Sequence, residues 1–324
     1  MSPADKLPGP VLGRRDILNM TAALAGVGFV RRNAAAASAV RLISGFGAGN
    51  PTDLCVQLIQ DGLVAALDEP VLLDYAIGEA GMLAAREVID SNPDGKTLLV
   101  AEILNLVLHD ARGGNLLPRL TPIAKITRGF STAIITSQYS GIADWESLLA
   151  AAKKSRLKTA TTGPLSPVGI LLAMVERRMN LSFDQQETGS TTAAADLVRI
   201  RRADLAAVDT RLALLHNGRD KTKFRIITTS GARRSRELPQ VPTFAEVAGD
   251  PRLAYTISYG VFAPARIDPA LAARLSAALM GMRDDDDMHF QARLAAIPLQ
   301  IDGPSAVVQA IARDRRVAEN LNRA

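Results

Sequence analysis

The chain has 324 residues, 48% hydrophobic, 22% charged and 4% aromatic, with 38 Lys and Arg against 33 Asp and Glu. That length can bury a large core and points to two domains. Residues 1–39 carry Lys6, Arg14, Arg15, Arg31 and Arg32 against Asp5 and Asp16, so only +2 of the formal +5 belongs to the remainder; a nearly neutral body poor in aromatic rings offers neither the basic face nor the stacking platform that nucleic acid needs.

The chain opens on a segment that reads as export machinery rather than fold. Arg14 and Arg15 precede a moderately apolar stretch, Ile17 to Val30, which is shorter than the about 20 residues a membrane-spanning helix requires. Arg31 and Arg32 follow, then the small-residue run "NAAAASA". This order matches a twin-arginine signal over residues 1–39, cleaved to leave a periplasmic protein from about Val40. The bland alternative is a buried amphipathic N-terminal helix.

From Val40 the pattern alternates. "VRLIS" is a predicted strand, Thr52 to about Leu67 a helix, 70–75 a strand, 81–91 a helix and 96–102 a strand. Such alternation predicts a parallel sheet with crossover helices. A second set begins near Phe130: a strand at 131–136, a helix at 144–154 capped by Asp144, a strand at 157–162 and a helix from Pro167 to Arg178. A helix near Thr191–Arg201 and strands at 204–210 and 224–230 follow, and a last apolar strand, 259–265, leads to two terminal helices. Cys55 falls on the apolar stripe of the first helix with Leu54, Leu58 and Ile59, which predicts a core position. A single thiol makes no intrachain disulfide and no cysteine zinc site.

The chemistry-bearing stretch is "GFGAGNPTD", 45–53. It lacks the Gly-Lys-Ser/Thr ending of a phosphate-binding P-loop, and Asn50 stands where a dinucleotide fingerprint needs its last glycine. What remains is physical: glycines admit a ligand close to the backbone, and the following helix aims free N–H groups and the positive end of its dipole at it. This suits a carboxylate as well as a phosphate; a tight turn capped by Thr52 is the structural alternative. His109, His216 and His289 are far apart in sequence and outside metal-ligand spacing, so no metal and no cofactor is expected. No Gly-x-Ser-x-Gly elbow is present, and no serine or cysteine has an evident histidine base. The acidic run 283–288 lacks the alternating oxygens of a calcium loop. In "LPQVPTFAEV", 238–247, two prolines hold an extended loop, and Thr243 with Glu246 forms a capping box for the next helix.

Together these stretches resemble the periplasmic substrate-binding proteins of tripartite tricarboxylate transporters, the Bordetella uptake gene family. The family pattern "RLVVPFPPGGPTD" stands here as "RLISGFGAGNPTD", "PDGYTLL" as "PDGKTLL" (93–99), "LPDVPTVAE" as "LPQVPTFAE" (238–246) and "YGLLAPAGTP" as "YGVFAPARID" (259–268). The matches run in order from Val40 to the end of the sequence. The resemblance implies an α/β, two-lobed periplasmic binding protein fold, each lobe a mostly parallel sheet flanked by helices: 40–132 plus 258–324 as the first lobe, 133–257 as the second. It further implies a monomer that closes on a small carboxylate-containing metabolite, performs no chemistry, and delivers the ligand to membrane transporter subunits.

By position, the resemblance places Phe46, Gly47, Ala48, Gly49, Asn50, Thr52 and Asp53 in the first ligand loop. Gly78, Glu79, Ala80 and Gly81 take the place of a partner loop that is usually "GAGG". In the second lobe it places Thr162, Gly163 and Ser166, then Gly189, Ser190 and Thr191, and Asp209 at a strand end. The chain departs from the family at two acidic positions, Glu79, which inserts a carboxylate into a loop that faces an anion, and Glu102, at the C-terminal end of the third strand, where ligands bind in open α/β sheets, and it also lacks the prolines of the first loop. Two readings follow. Either a ligand carrying an amine or amide beside its carboxylate answers one of these glutamates, or both face solvent or are protonated. An exported enzyme or a ligand-dependent sensing partner on the same fold are the rival functions.

Overall fold

A computed structural model describes residues 39–164, 166–219 and 224–323. The export-signal reading of residues 1–39 therefore lies, but for Ala39, outside the described residues. The rest opens with β1 (Val40–Ser44), α1 (Pro51–Leu67), β2 (Val71–Tyr75), α2 (Met82–Asp90), β3 (Thr97–Glu102), α3 (Ile103–Asp110) and β4 (Leu120–Thr127). It continues through β5 (Thr132–Ser137), α4 (Trp145–Lys154), β6 (Lys158–Thr161), α5 (Pro167–Met179), β7 (Asp184–Glu187), α6 (Thr191–Arg199), β8 (Leu205–Asp209), α7 (Thr210–Arg219) and β9 (Phe224–Thr229). The last elements are α8 (Phe244–Ala248), β10 (Tyr259–Pro264), α9 (Pro269–Gly281), α10 (Asp286–Leu294), β11 (Leu299–Asp302) and α11 (Pro304–Arg323).

Two sheets result. The first runs β11-β4-β10-β3-β1-β2 and the second β7-β6-β8-β5-β9. β1 lies parallel to β2 and β3, as the first crossover helices require, and β10 returns antiparallel between β3 and β4. In the second sheet β6 is parallel to β7 and β8, and β5 is antiparallel to β8 and β9. The central strands are continuous apolar runs because helices cover both faces; β10, for example, is buried at every position.

The chain crosses between sheets twice, from Thr127 to Thr132 and from Thr229 to Tyr259. The two crossing segments pair with each other: Phe130 N–H donates to the Ile257 carbonyl (3.0 Å) and Ile257 N–H to the Phe130 carbonyl (2.8 Å). The Phe130 and Tyr259 rings lie 5.5 Å apart beside this bridge. The capping box read at Thr243 is present, with Thr243 Oγ1 accepting from Glu246 N–H and Glu246 accepting from Thr243 N–H.

Some elements were not predicted. β4 contains Pro122, which has no N–H to give; the register against β10 shifts there by a bulge that accommodates it. β7, "DQQE", is a solvent-exposed edge strand with no apolar pattern to betray it. α3 follows β3 without a break, so its boundary is hidden in one apolar run. The two expected terminal helices are three, separated by β11. α11 reaches back from the first sheet, and Asn320 Nδ2 donates to the Arg252 carbonyl (3.3 Å).

Candidate functional site

The first loop is tied from inside. Asn50, not Thr52, caps α1: its Oδ1 accepts from Thr52 N–H (2.9 Å), and Pro51 takes the first helical position, where a missing N–H costs nothing. The buried Asp53 carboxylate accepts from Gly49 N–H (2.7 Å), Gln57 Nε2 (3.0 Å) and the Tyr75 hydroxyl (2.6 Å). Both its oxygens are thus committed to holding the loop closed. Gly47, Ala48 and Gly49 are partly or fully exposed, and Thr52 is buried beneath them with its hydroxyl unpartnered.

The two loops expected to act together do meet. A Cβ on Gly45 would lie 2.5 Å from Gly81 Cα, so this crossing of backbones admits only glycine. The Phe46 ring lies over Gly81, and Asn105 Nδ2 from α3 donates to the Ala80 carbonyl. Gly78 leads into the turn Glu79–Gly81, in which Glu79 and Ala80 adopt positive φ. Glu79 itself points outward: its side chain is 62% exposed and pairs with Arg86.

The second sheet presents a matching edge. Ser166 caps α5, accepting from Gly169 N–H (3.1 Å) and from the Thr162 hydroxyl (2.9 Å) while donating to the Gly163 carbonyl (2.7 Å). Ser190 caps α6 through Ala193 N–H (3.1 Å), and Gly189 beside it is exposed. The Thr191 hydroxyl donates to Asp209 Oδ2 (2.9 Å), and Leu212 N–H donates to Asp209 Oδ1 (2.8 Å).

Five of the expected residues, Asn50, Glu102, Thr162, Thr191 and Asp209, line one small cavity between the sheets with Pro51, Pro167, Val168, Ile257 and Tyr259. Three helix N-termini (α1, α5, α6) and the C-terminal ends of β3 and β8 converge there. Such strand ends and dipole ends are where open α/β folds take anions. Phe46, Gly81 and Glu102 line an adjoining hollow with Gly45 and Asn105. Larger open hollows lie elsewhere, one under Lys125, Asp302 and Arg313 and one at the N-terminal ends of β6 and β7. The latter is the wrong end of its sheet for this kind of binding, and neither gathers helix N-termini from both sheets.

Glu102 is the cavity's buried carboxyl with an unmet oxygen. The Tyr259 hydroxyl donates to its Oε1 (2.7 Å), while Oε2 is buried with no partner. Burial, reinforced by the nearby Asp209 charge, pushes its carboxyl up to about 7 against the pull of the Tyr259 bond. Desolvation also holds Cys55, Tyr255 and Tyr259 neutral, their pKa values raised above the ordinary ones.

Sequence reasoning missed Arg211. Its guanidinium is 5% exposed, with Nε 3.2 Å from Asp209 Oδ1, an ion pair outside hydrogen-bond geometry. Its Nη2 donates across the cleft to the Gly49 carbonyl at 3.4 Å, a long bond linking the second sheet to the first loop. The only signal was a charged pair, Asp209 and Arg211, at the end of an otherwise apolar strand. Tyr259 was read only as a strand residue, and Asn105 was hidden in the unpredicted α3. Among the described residues no group of three or more His, Cys, Asp and Glu could hold a metal, and no helix is long and apolar enough to cross a membrane.

Comparison with known proteins fits this geometry. The chain is 24% identical to a UPF0065 protein of Cupriavidus necator (in the gbd 5' region) over 241 residues, 73% of this chain and 72% of that one. Its fold matches MatC (Rpa3494) from Rhodopseudomonas palustris, solved with bound malate, at a TM-score of 0.78 and 21% identity, covering 87% of this chain and 98% of that one. It also matches R. palustris Rpa4515, solved with adipate, at a TM-score of 0.76 and 18% identity, covering 88% and 96%. The model of the tripartite tricarboxylate transporter family receptor matches residues 55–293, well over half the chain. The chain therefore belongs to the tripartite tricarboxylate transporter receptor family.

Proposed function

We propose that this receptor works in the periplasm, capturing a small carboxylate between two lobes and delivering it to the membrane subunits of a tripartite transporter without chemical change. The observation that carries this reading is the convergence of three helix N-termini and two strand ends from both sheets on one cavity. Neighbours of the same fold were solved with malate and with adipate. Residues 40–132 with 258–324 form one moving lobe and 133–257 the other, and the paired crossing segments at Phe130 and Ile257 act as the hinge. As folded the cavity is about 10 Å³, room for about one water molecule, so the lobes part to admit a ligand.

In the open form the first lobe offers the loop from Phe46 to Asn50 with Thr52, braced from inside by Asp53, the Gly78–Gly81 turn, and Glu102. The second lobe offers Thr162, Gly163 and Ser166, then Gly189 to Thr191, and Asp209. Arg211 closes across them. Residues 1–39 direct the twin-arginine export that places the receptor outside the cytoplasm, and it acts there as a monomer. Thermal unfolding of the purified protein against a panel of mono-, di- and tricarboxylates tests the reading, because a ligand that binds only the folded state raises the melting temperature. At a hundredfold excess over Kd the gain is about 2.7 kcal/mol. A panel without any shift would remove the carboxylate-receptor assignment.

A further inference from the structure

The carboxylates around the cleft are not equivalent. Asp53 is fully engaged inside the first loop, and Glu79 pairs with Arg86 at the surface. Asp209 has both oxygens occupied and its charge matched by Arg211. Glu102 alone among these four lines the cavity with a buried oxygen, Oε2, that no protein group reaches. Resting on the receptor reading above, we infer that Glu102 is a specificity-determining residue: the cleft selects a carboxylate ligand that also carries an ammonium group, which donates to Glu102 Oε2, over the plain dicarboxylate of the same length.

The charge balance of the cavity supports this. The titratable and charged groups around Glu102 are Tyr259 on β10, Cys55 on α1, Tyr255 in the crossing segment, Asp209 at the end of β8 and Arg211 behind it. The thiol and the phenols are neutral. The Asp209–Arg211 pair cancels, so an ionised Glu102 leaves the cavity with one uncompensated negative charge. An ammonium neutralises that charge and supplies the missing donor, while the ligand carboxylate meets the helix N-termini. A second ligand carboxylate set roughly 6 Å from the ionised Glu102 would be repelled by on the order of a hundredfold in affinity at an effective dielectric near 20. It could bind without that repulsion only after Glu102 took up a proton.

The two ligand classes therefore differ in pH dependence as well as affinity. Calorimetric titration of the purified protein and of Glu102→Gln, at pH 6 and pH 8, with two matched pairs isolates the ammonium: succinate with aspartate, and adipate with 2-aminoadipate. Citrate serves as a further carboxylate probe. The expected result is that in at least one pair the amino member binds wild type more tightly than its plain partner by about tenfold or more at pH 8. Glu102→Gln should erase that preference while leaving measurable binding of the plain partner. Equal affinities within both pairs, or a preference that survives Glu102→Gln, would overturn the inference while leaving the receptor reading intact. A plain dicarboxylate that gains on its amino partner at pH 6 and fades at pH 8 belongs to the expected result, since proton uptake by Glu102 lifts the repulsion. Silence of all five probes, citrate included, would overturn both.

Discussion

Replacing Glu102 by Gln should change the pH dependence of stability more than stability itself. The Glu102 carboxyl is raised from 4.5 to about 7, chiefly by burial and then by the Asp209 charge. Because the folded protein holds this proton more tightly than the unfolded chain, folding stability is greatest below about pH 4.5. It falls as the pH rises to about 7 and is flat above it. The gap corresponds to about 3 kcal/mol. Asp314, buried beside Arg313 and raised to about 6 from 3.8, adds a loss of the same sign at lower pH, and that part is common to both proteins. Gln keeps an oxygen for the Tyr259 hydroxyl, yet it buries an amide with an unmet donor, so its absolute stability at pH 5 should sit somewhat below wild type. The decisive quantity is the difference between the two proteins across pH. Urea unfolding followed by circular dichroism at pH 5, 6, 7 and 8 should show Glu102→Gln gaining on wild type by about 2.5 kcal/mol from the lowest to the highest pH, part of the gap being already lost at pH 5. Parallel profiles would refute the reasoning, because they would mean that Glu102 is solvated or ionised throughout.

Further outcomes follow from the same contacts. Gly45→Ala forces a Cβ onto the Gly81 backbone, and overpacking against backbone should destabilise by about 2 kcal/mol; an unfolding midpoint equal to wild type would deny that the two loops touch. Arg211→Ala strands the buried Asp209 charge and should cost about 3 kcal/mol, most of it recovered in the double variant Arg211→Met with Asp209→Asn; absence of that recovery in thermal unfolding would break the pairing. Thr243→Ala removes the capping box of α8 and should cost about 1 kcal/mol in chemical denaturation. Changing Arg14 and Arg15 together to Lys should retain the precursor in the cytoplasm, and unchanged periplasmic recovery on cell fractionation would rule out twin-arginine export.

Much of the fold was legible in local pattern. The alternation from Val40 to Glu102 carries its own instructions, because apolar strands punctuated by amphipathic helices leave few topologies other than a parallel sheet. The capping box at Thr243 and the core position of Cys55 were readable for the same reason, since each depends on neighbours within a few residues. The order of the loops along the chain was equally visible, because glycines, prolines and helix caps mark loops wherever they fall. Strands β4 and β7 escaped notice because Pro122 and the polar "DQQE" break the pattern that sheet membership usually imposes.

What the sequence by itself determined, then, was the succession of elements and where the loops fall between them; which loops face one another was only what the family resemblance implies. What only the tertiary structure decided was the fate of each charge. Glu79 and Glu102 looked alike as acidic departures from the family pattern, yet one turns outward to Arg86 and the other is buried against Tyr259, 157 positions further along the chain. Arg211 reaches Gly49 from 162 positions away. Burial and charge pairing at such separations depend on how strands from distant segments come side by side, and no local period in the sequence encodes that.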